Sequence, residues 1–283
     1  MFKLFSVDDH IVEPPGVWVD RVPAAYKDRV PHVVEANGRQ MWVWDGGMEM
    51  TMGLNAVAGK PREQWGAEPA RFEDMIPGCY DPHQRKKDFL SNGVFASVAF
   101  PTLPGFAGRK FGTFEDKDLA LVCVRAWNDF ILDEWCPVAP EMYVPMTIAP
   151  VWDARLAAEE TARCIDKGSK ALCWMEDPAN IGLPGYHTDY WHPLFAVCQD
   201  AGIPVCMHIG SSSRLTTTST DAPNTISLTL TGLNSMSAAA DWLLGGILER
   251  LPGLKVIMSE GGAGWVPYLW SAPTRCSSIV AWT

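Results

Sequence analysis

The 283-residue sequence predicts an α/β fold, a parallel-stranded (β/α) barrel, on three observations. Short strand-like runs alternate with helical patterns along most of the chain. The strands are apolar on both faces, as parallel strands covered by helices must be. Acids and histidines collect where those strands end, which is where a barrel of this kind carries its chemistry. An open doubly wound sheet is the competing architecture. No G-x-G-x-x-G turn follows an early strand, and that ranks the nucleotide-binding sheet below the barrel.

The elements follow in order. FKLFSVDDH is the first strand, ending in Asp8, Asp9 and His10. DPHQRKKDFLSN reads as a helix capped by Asp81 with Pro82 at its first position. GVFASVAF (93–100) is the second strand. Leu119, Val122, Cys123, Ala126 and Phe130 share one face of a helix over about 117–135. MYVPMTIAP (142–150) is the third strand, followed by a helix from Asp153 to the stop at Gly168. KALCWM (170–175) is the fourth strand, and a helix carrying Leu194, Val197, Cys198 and Ala201 stops at Gly202. IPVCMH (203–208), the helix MSAAADWLLGGILERLPG and LKVIMSE (254–260) complete the series.

One segment breaks the alternation. An insertion over about 31–80 contains HVVEANGRQMWVWDGG, two extended runs joined by Asn37-Gly38, a strong hairpin signal. The glycine- and methionine-rich DGGMEMTMGLNAVAGKP follows it. The segment reads as a lid on the catalytic rim or as decoration that only extends the barrel. Residues 271–283 read as an irregular tail.

Composition excludes several classes of function. The net charge of −10, without a basic run, argues against nucleic acid and anionic membrane as partners. No apolar run approaches ~20 residues, and no signal-peptide pattern opens the chain, so a cytoplasmic protein is expected. The eight cysteines contain no C-x-x-C pair and read as free thiols.

In a strand, alternate side chains point the same way, so Asp8 and His10 share a face and Asp9 takes the other. A carboxylate and an imidazole converging at a strand end suit a divalent cation, and His208 after the fifth strand offers a third ligand. A hydrogen-bonded acid–histidine pair is the plainer reading of Asp8 and His10.

The stretches SVDDHIVEPPGVWVDRVPAAYKDRVPHVV, GVFASVAFPT, WHPLFAVCQDAGIPVCMHIGSSS and LPGLKVIMSEGGAGWVPYLW together resemble the amidohydrolase-2 family. That family includes the aminocarboxymuconate-semialdehyde decarboxylase-like and resorcylate decarboxylase-like enzymes. The resemblance runs from residue 4 to about 270. It implies a TIM-barrel-like metal-dependent hydrolase fold with one divalent metal, zinc first and manganese second. The family's strand-one ligands fall on Asp8 and His10, in its carboxylate-x-His variant, and its strand-five histidine falls on His208. Glu13 matches the Asp-x-His-x-x-Glu-Pro pattern and is a candidate for orienting a ligand, or merely opens the Pro14-Pro15 turn.

The sequence departs from the family twice. Glu260, in SEGG, stands where the resembled decarboxylases carry a catalytic histidine; a desolvated Glu260 would be able to transfer protons there. The family's strand-eight aspartate has no counterpart after residue 260, so strands one to six are expected to be present and strands seven and eight missing. Arg214, in the loop after His208, is a candidate carboxylate clamp. Lys170, His187 and His192 read as surface residues, and Trp174 and Trp265 as core.

The expected activity is metal-dependent hydrolysis or decarboxylation of a small carboxylated or cyclic organic substrate. In one route the metal polarises the substrate's carboxylate; in the other it activates water. A catalytically impaired remnant of the family is the alternative. A homodimer is the candidate assembly, with Met41, Trp42 and Trp44 of the inserted hairpin as its apolar contact.

Overall fold

The computed structural model of the chain describes residues 3–49, 57, 59–65, 70–212 and 214–271, in two units, Met1–Cys173 and Trp174–Thr283. The first unit opens with β1 (Leu4–Ile11) and the single turn α1 (Gly16–Val19). The antiparallel strands β2 (His32–Ala36), β3 (Arg39–Trp44) and β4 (Gly47–Glu49) follow. Asn37 and Gly38 turn β2 into β3 at φ 54° and 73°, the left-handed pair that a two-residue hairpin requires. The hairpin is therefore present, extended by a third strand. Residues 50–56 and 58 of the glycine- and methionine-rich stretch lie outside the described residues, as do Cys276 and the tail from residue 272.

The hairpin tryptophans pack on aromatic rings of their own unit. Trp42 is buried edge-on against Trp18 of α1 and Phe72, and Trp44 stacks on Phe114 with 9° between the rings. These two side chains bind the insertion to its own unit, because aromatic rings at this density gain more from packing than from exposure. Trp42 is thereby buried, whereas Met41 and Trp44 are half-buried.

Aspartates start the helices between the parallel strands. Asp81 accepts from His83 N and Gln84 N to open α2 (Pro82–Asn92), and left-handed Gly93 closes it. β5 (Val94–Pro101) and the turn α3 (Arg109–Gly112) lead to α4 (Lys117–Phe130), capped by Asp116. The helix expected to reach residue 135 is α-helical only to Phe130; Ile131–Trp135 widen into a π turn ahead of Pro137. The next strand run is divided at Pro145 into β6 (Tyr143–Val144) and β7 (Met146–Ile148). Proline has no N–H to give a ladder, and its carbonyl accepts from Lys170 N at 2.8 Å. α5 (Ala154–Asp166), capped by Asp153, follows, and the unit ends within β8 (Ala171–Trp174), at Cys173. β1 pairs with β5, β5 with β6, and β7 with β8, all in parallel.

The second unit contains α6 (His192–Ala201), β9 (Pro204–His208), α7 (Asn224–Leu230), α8 (Gly232–Leu244), α9 (Ile247–Arg250) and β10 (Lys255–Ser259). α7 was not foreseen, and the single helix expected over MSAAADWLLGGILERLPG is broken at Gly245-Gly246, where Gly246 takes φ 80°. β9 and β10 are parallel, with His208 opposite Ser259. Tyr186, Phe195 and Trp242 form a ring cluster with centroids 4.8–6.0 Å apart, and Trp174 packs on Trp191 at 5.0 Å, so Trp174 is core as read. Among the described residues no helix is long and apolar enough to cross a membrane.

Candidate metal centre

In the first unit the candidate residues lie at the end of β1. Between Ser6, paired with Ser97, and Asp9, paired with Ala99, two β1 residues stand opposite the single Val98. This bulge re-aims the side chains beside it, a device common next to functional sites. A carboxylate oxygen of Asp8 and a ring nitrogen of His10 come within 4.8 Å of one another. Asp9 accepts instead from Ser97 Oγ on the neighbouring strand, as the alternation requires. The His10 ring lies against Phe100 and Phe106, with centroids 6.0 and 5.7 Å away.

Two buried charged groups hold this strand end. Arg85 of α2 donates from Nη2 to the His10 carbonyl and from Nε to the Gly78 carbonyl, each at 2.7 Å. Burial pushes its pKa below the usual guanidinium value, with Asp9 opposing. The second group, Glu13, accepts from Thr102 N and Leu103 N at 2.9 and 2.8 Å and from Trp127 Nε1 at 3.1 Å. Its carboxyl is raised by burial against the pull of those neutral donors. Glu13 thus clamps the loop after β5, a larger task than opening the Pro14-Pro15 turn.

In the second unit the candidate residues lie at the ends of β9 and β10. His208 is buried, and its Nδ1 lies 2.6 Å from the Ile209 carbonyl. A carbonyl can only accept, so Nδ1 carries the proton and the tautomer is set by that partner. Nε2 faces Glu260 Oε2 at 3.2 Å. The Glu260 side chain is 58% exposed, so the burial that the proton-transfer reading asked of it is absent. Gly261 allows the turn, because a Cβ there would meet Ser235 Cβ at 2.4 Å.

Glu176, just after β8, accepts from Ser235 Oγ and Ser212 N, while its own N–H donates to Ser211 Oγ. Burial raises its carboxyl. This carboxylate ties α8 to the loop after β9. Arg214 is exposed and lines a cavity of about 220 Å³ with Asp177, Asn180, Ser212 and Asn234. Asn234 Nδ2 donates to the Arg214 carbonyl, which fixes the backbone under that side chain. Lys170 is exposed at the start of β8, and exposed His187 pairs with Asp241 at 3.1 Å, in keeping with their surface reading.

The donor chemistry fits a divalent cation. Carboxylate oxygen and imidazole nitrogen are ligands for both zinc and manganese. The His208 Nδ1–H bound to a carbonyl is the support usually found behind a ligating imidazole. Sequence reasoning missed Arg85, the Ser97–Asp9 contact and the Glu176–Ser235 contact. For Arg85 a signal existed, since it stands four residues before Phe89 on one face of α2.

The amidohydrolase-2 family profile, described as Amidohydrolase, matches residues 59–280, so β1 precedes the matched segment. No curated protein matches the chain. Among solved structures, an amidohydrolase from Mycobacterium avium subsp. paratuberculosis K-10 has a TM-score of 0.74 at 17% identity, covering 98% of this chain and 77% of its own. 5-Carboxyvanillate decarboxylase from Novosphingobium aromaticivorans DSM 12444 scores 0.60 at 15% identity, covering 95% and 68%. 2,6-Dihydroxybenzoate decarboxylase from Rhizobium scores 0.52 at 16% identity, covering 91% and 66%. At such identities the likeness shows a shared TIM-barrel-like fold. With the profile spanning most of its length, the chain belongs to the amidohydrolase-2 family of metal-dependent hydrolases and carboxy-lyases.

Proposed function

We propose that the chain is a metal-dependent carboxy-lyase acting on a small cyclic carboxylate, with Asp8, His10 and His208 as the metal ligands. The observation that carries this reading is the Asp8–His10 pair, brought within 4.8 Å at a bulged strand end. Neighbours of the same fold support the substrate class: they are decarboxylases of dihydroxybenzoate and carboxyvanillate, and one holds manganese with a nitrobenzoic acid. A divalent cation supplies Lewis acidity towards a carboxylate and the oxygen beside it. Arg214, with its paired guanidinium donors, is suited to a second anionic group on the substrate. Arg85 and Glu13 act through hydrogen bonds, one on the His10 carbonyl and the other on the loop after β5. Glu260 joins the site beside His208. The family description favours a second reading, hydrolysis of a cyclic amide or ester.

Metal analysis should find about one zinc or manganese per chain, and the Asp8→Asn/His208→Ala double variant should lose it. Full retention of metal by that variant would remove the ligand assignment. With hydroxylated benzoates as substrates, release of CO₂ supports the carboxy-lyase; ring opening of a lactone without CO₂ release would replace it by the hydrolase.

A further inference from the structure

The contact between His208 and Glu260 calls for a third body. With Nδ1 bound to the Ile209 carbonyl, His208 turns Nε2 towards a carboxylate oxygen of Glu260 at 3.2 Å. An imidazole nitrogen and a carboxylate oxygen come that close when a proton or a cation lies between them. The spacing suits a cation: donors about 2.0–2.2 Å from one metal lie about 2.8–3.6 Å apart as the angle between them opens from a right angle to the tetrahedral value.

The backbone adds an independent observation. Glu260 holds φ 61°, in the left-handed region that residues with a Cβ seldom enter, although glycines occupy the next two positions. Its side chain is largely exposed, so packing does not account for a glutamate there. Strain of this kind persists where surrounding structure imposes it, and it clusters at functional sites.

The geometry points to Glu260 as a direct ligand, together with His208, of the divalent cation. This rests on the reading of His208 as a metal ligand and changes the part Glu260 plays in it. A carboxylate from the end of β10 adds a hard oxygen to the donor set, which favours manganese more than a third imidazole would.

The test is metal affinity in the full chain, measured by competition with a chromophoric chelator using Mn²⁺ as probe. The variants are Glu260→Gln, Glu260→Gly and His208→Ala. The wild type should take up one Mn²⁺. Both Glu260 variants should bind at least 100-fold more weakly, and the water-proton relaxivity per bound Mn²⁺ should rise as water enters the vacated position. Glycine accepts φ 61° without strain, so metal-free Glu260→Gly should melt no lower than the wild type, which separates ligand loss from misfolding. Affinity within threefold of wild type in both Glu260 variants, with metal lost from His208→Ala, would overturn this inference and leave the metal site standing. Weakening without a rise in relaxivity would assign Glu260 to outer hydrogen bonding and overturn it equally. No uptake by the wild type would remove the metal site and the inference together.

Discussion

Two regions of the first unit bury charge in opposite ways. At the end of β1, Glu13 and Arg85 have neutral hydrogen-bond partners, and burial pushes each towards its uncharged form: Glu13 up, Arg85 down. Between α4 and α5, Glu160 is equally buried but accepts from Arg163, Arg125 and Asn128. Burial pushes its carboxyl up as well, yet the hydrogen bonds from Arg163 and Asn128 outweigh it and leave it lowered. The same bond to Glu160 raises Arg163. Burial therefore does not decide the direction of a shift; a close counter-ion does. The helix layer is sealed by ion pairs, whereas the strand end that carries Asp8 and His10 is held by amides, carbonyls and an indole.

The largest expected effect comes from turning the second region into the first. Arg163→Met leaves the Glu160 carboxylate buried without its nearest cation, and stability at neutral pH should fall by about 2–3 kcal/mol. The pH dependence should change sign with it. In the wild type a lowered folded pKa makes the Glu160 contribution present above the ordinary carboxylate range and lost as pH falls through the lowered value. In the variant that acid-side loss should disappear. Urea midpoints from pH 3 to pH 7 would show it, and an unchanged profile would mean that Arg125 and Asn128 suffice.

Arg85→Met removes the buried cation from the first region and strips the His10 and Gly78 carbonyls of a donor. About 2 kcal/mol of stability should be lost. Metal affinity should weaken about tenfold, because His10 loses the support behind its backbone. Lost stability with unchanged affinity would confine Arg85 to folding.

Glu13→Gln should have the smallest effect, about 1 kcal/mol at neutral pH, since an amide keeps one acceptor and relieves a buried charge. The sign is opposite to that of Glu160. A raised folded pKa means that the Glu13 contribution is complete below the ordinary carboxylate range and is lost as pH rises through the raised value. The difference between wild type and variant should therefore shrink with rising pH above that range. A constant difference would show that the clamp titrates normally.

Local rules made much of this readable in the sequence. Asp81 and Asp153 cap their helices within two or three residues of themselves. Asn37-Gly38 turns its hairpin, and the two-residue period brings Asp8 and His10 together. Gly202 ends its helix in the left-handed conformation that glycine takes without strain. The family-bearing motifs were legible for the same reason, because each is a short contiguous run at a strand end.

What the sequence by itself determined, then, is the order of most of the elements and which side chains stand at the strand tips. Tertiary structure decided who meets them: Arg85 at the His10 carbonyl 75 residues away, Glu13 at residues 102, 103 and 127, Ser235 at Glu176, Glu260 at His208. It also placed the hairpin tryptophans against Trp18 and Phe114 and gave Glu260 a left-handed backbone. The physical reason is range. Caps, turns and periodicity are settled by backbone geometry over two to four residues, whereas a buried polar group takes whatever donor packing brings within about 3 Å, and nothing in its own neighbourhood names that partner.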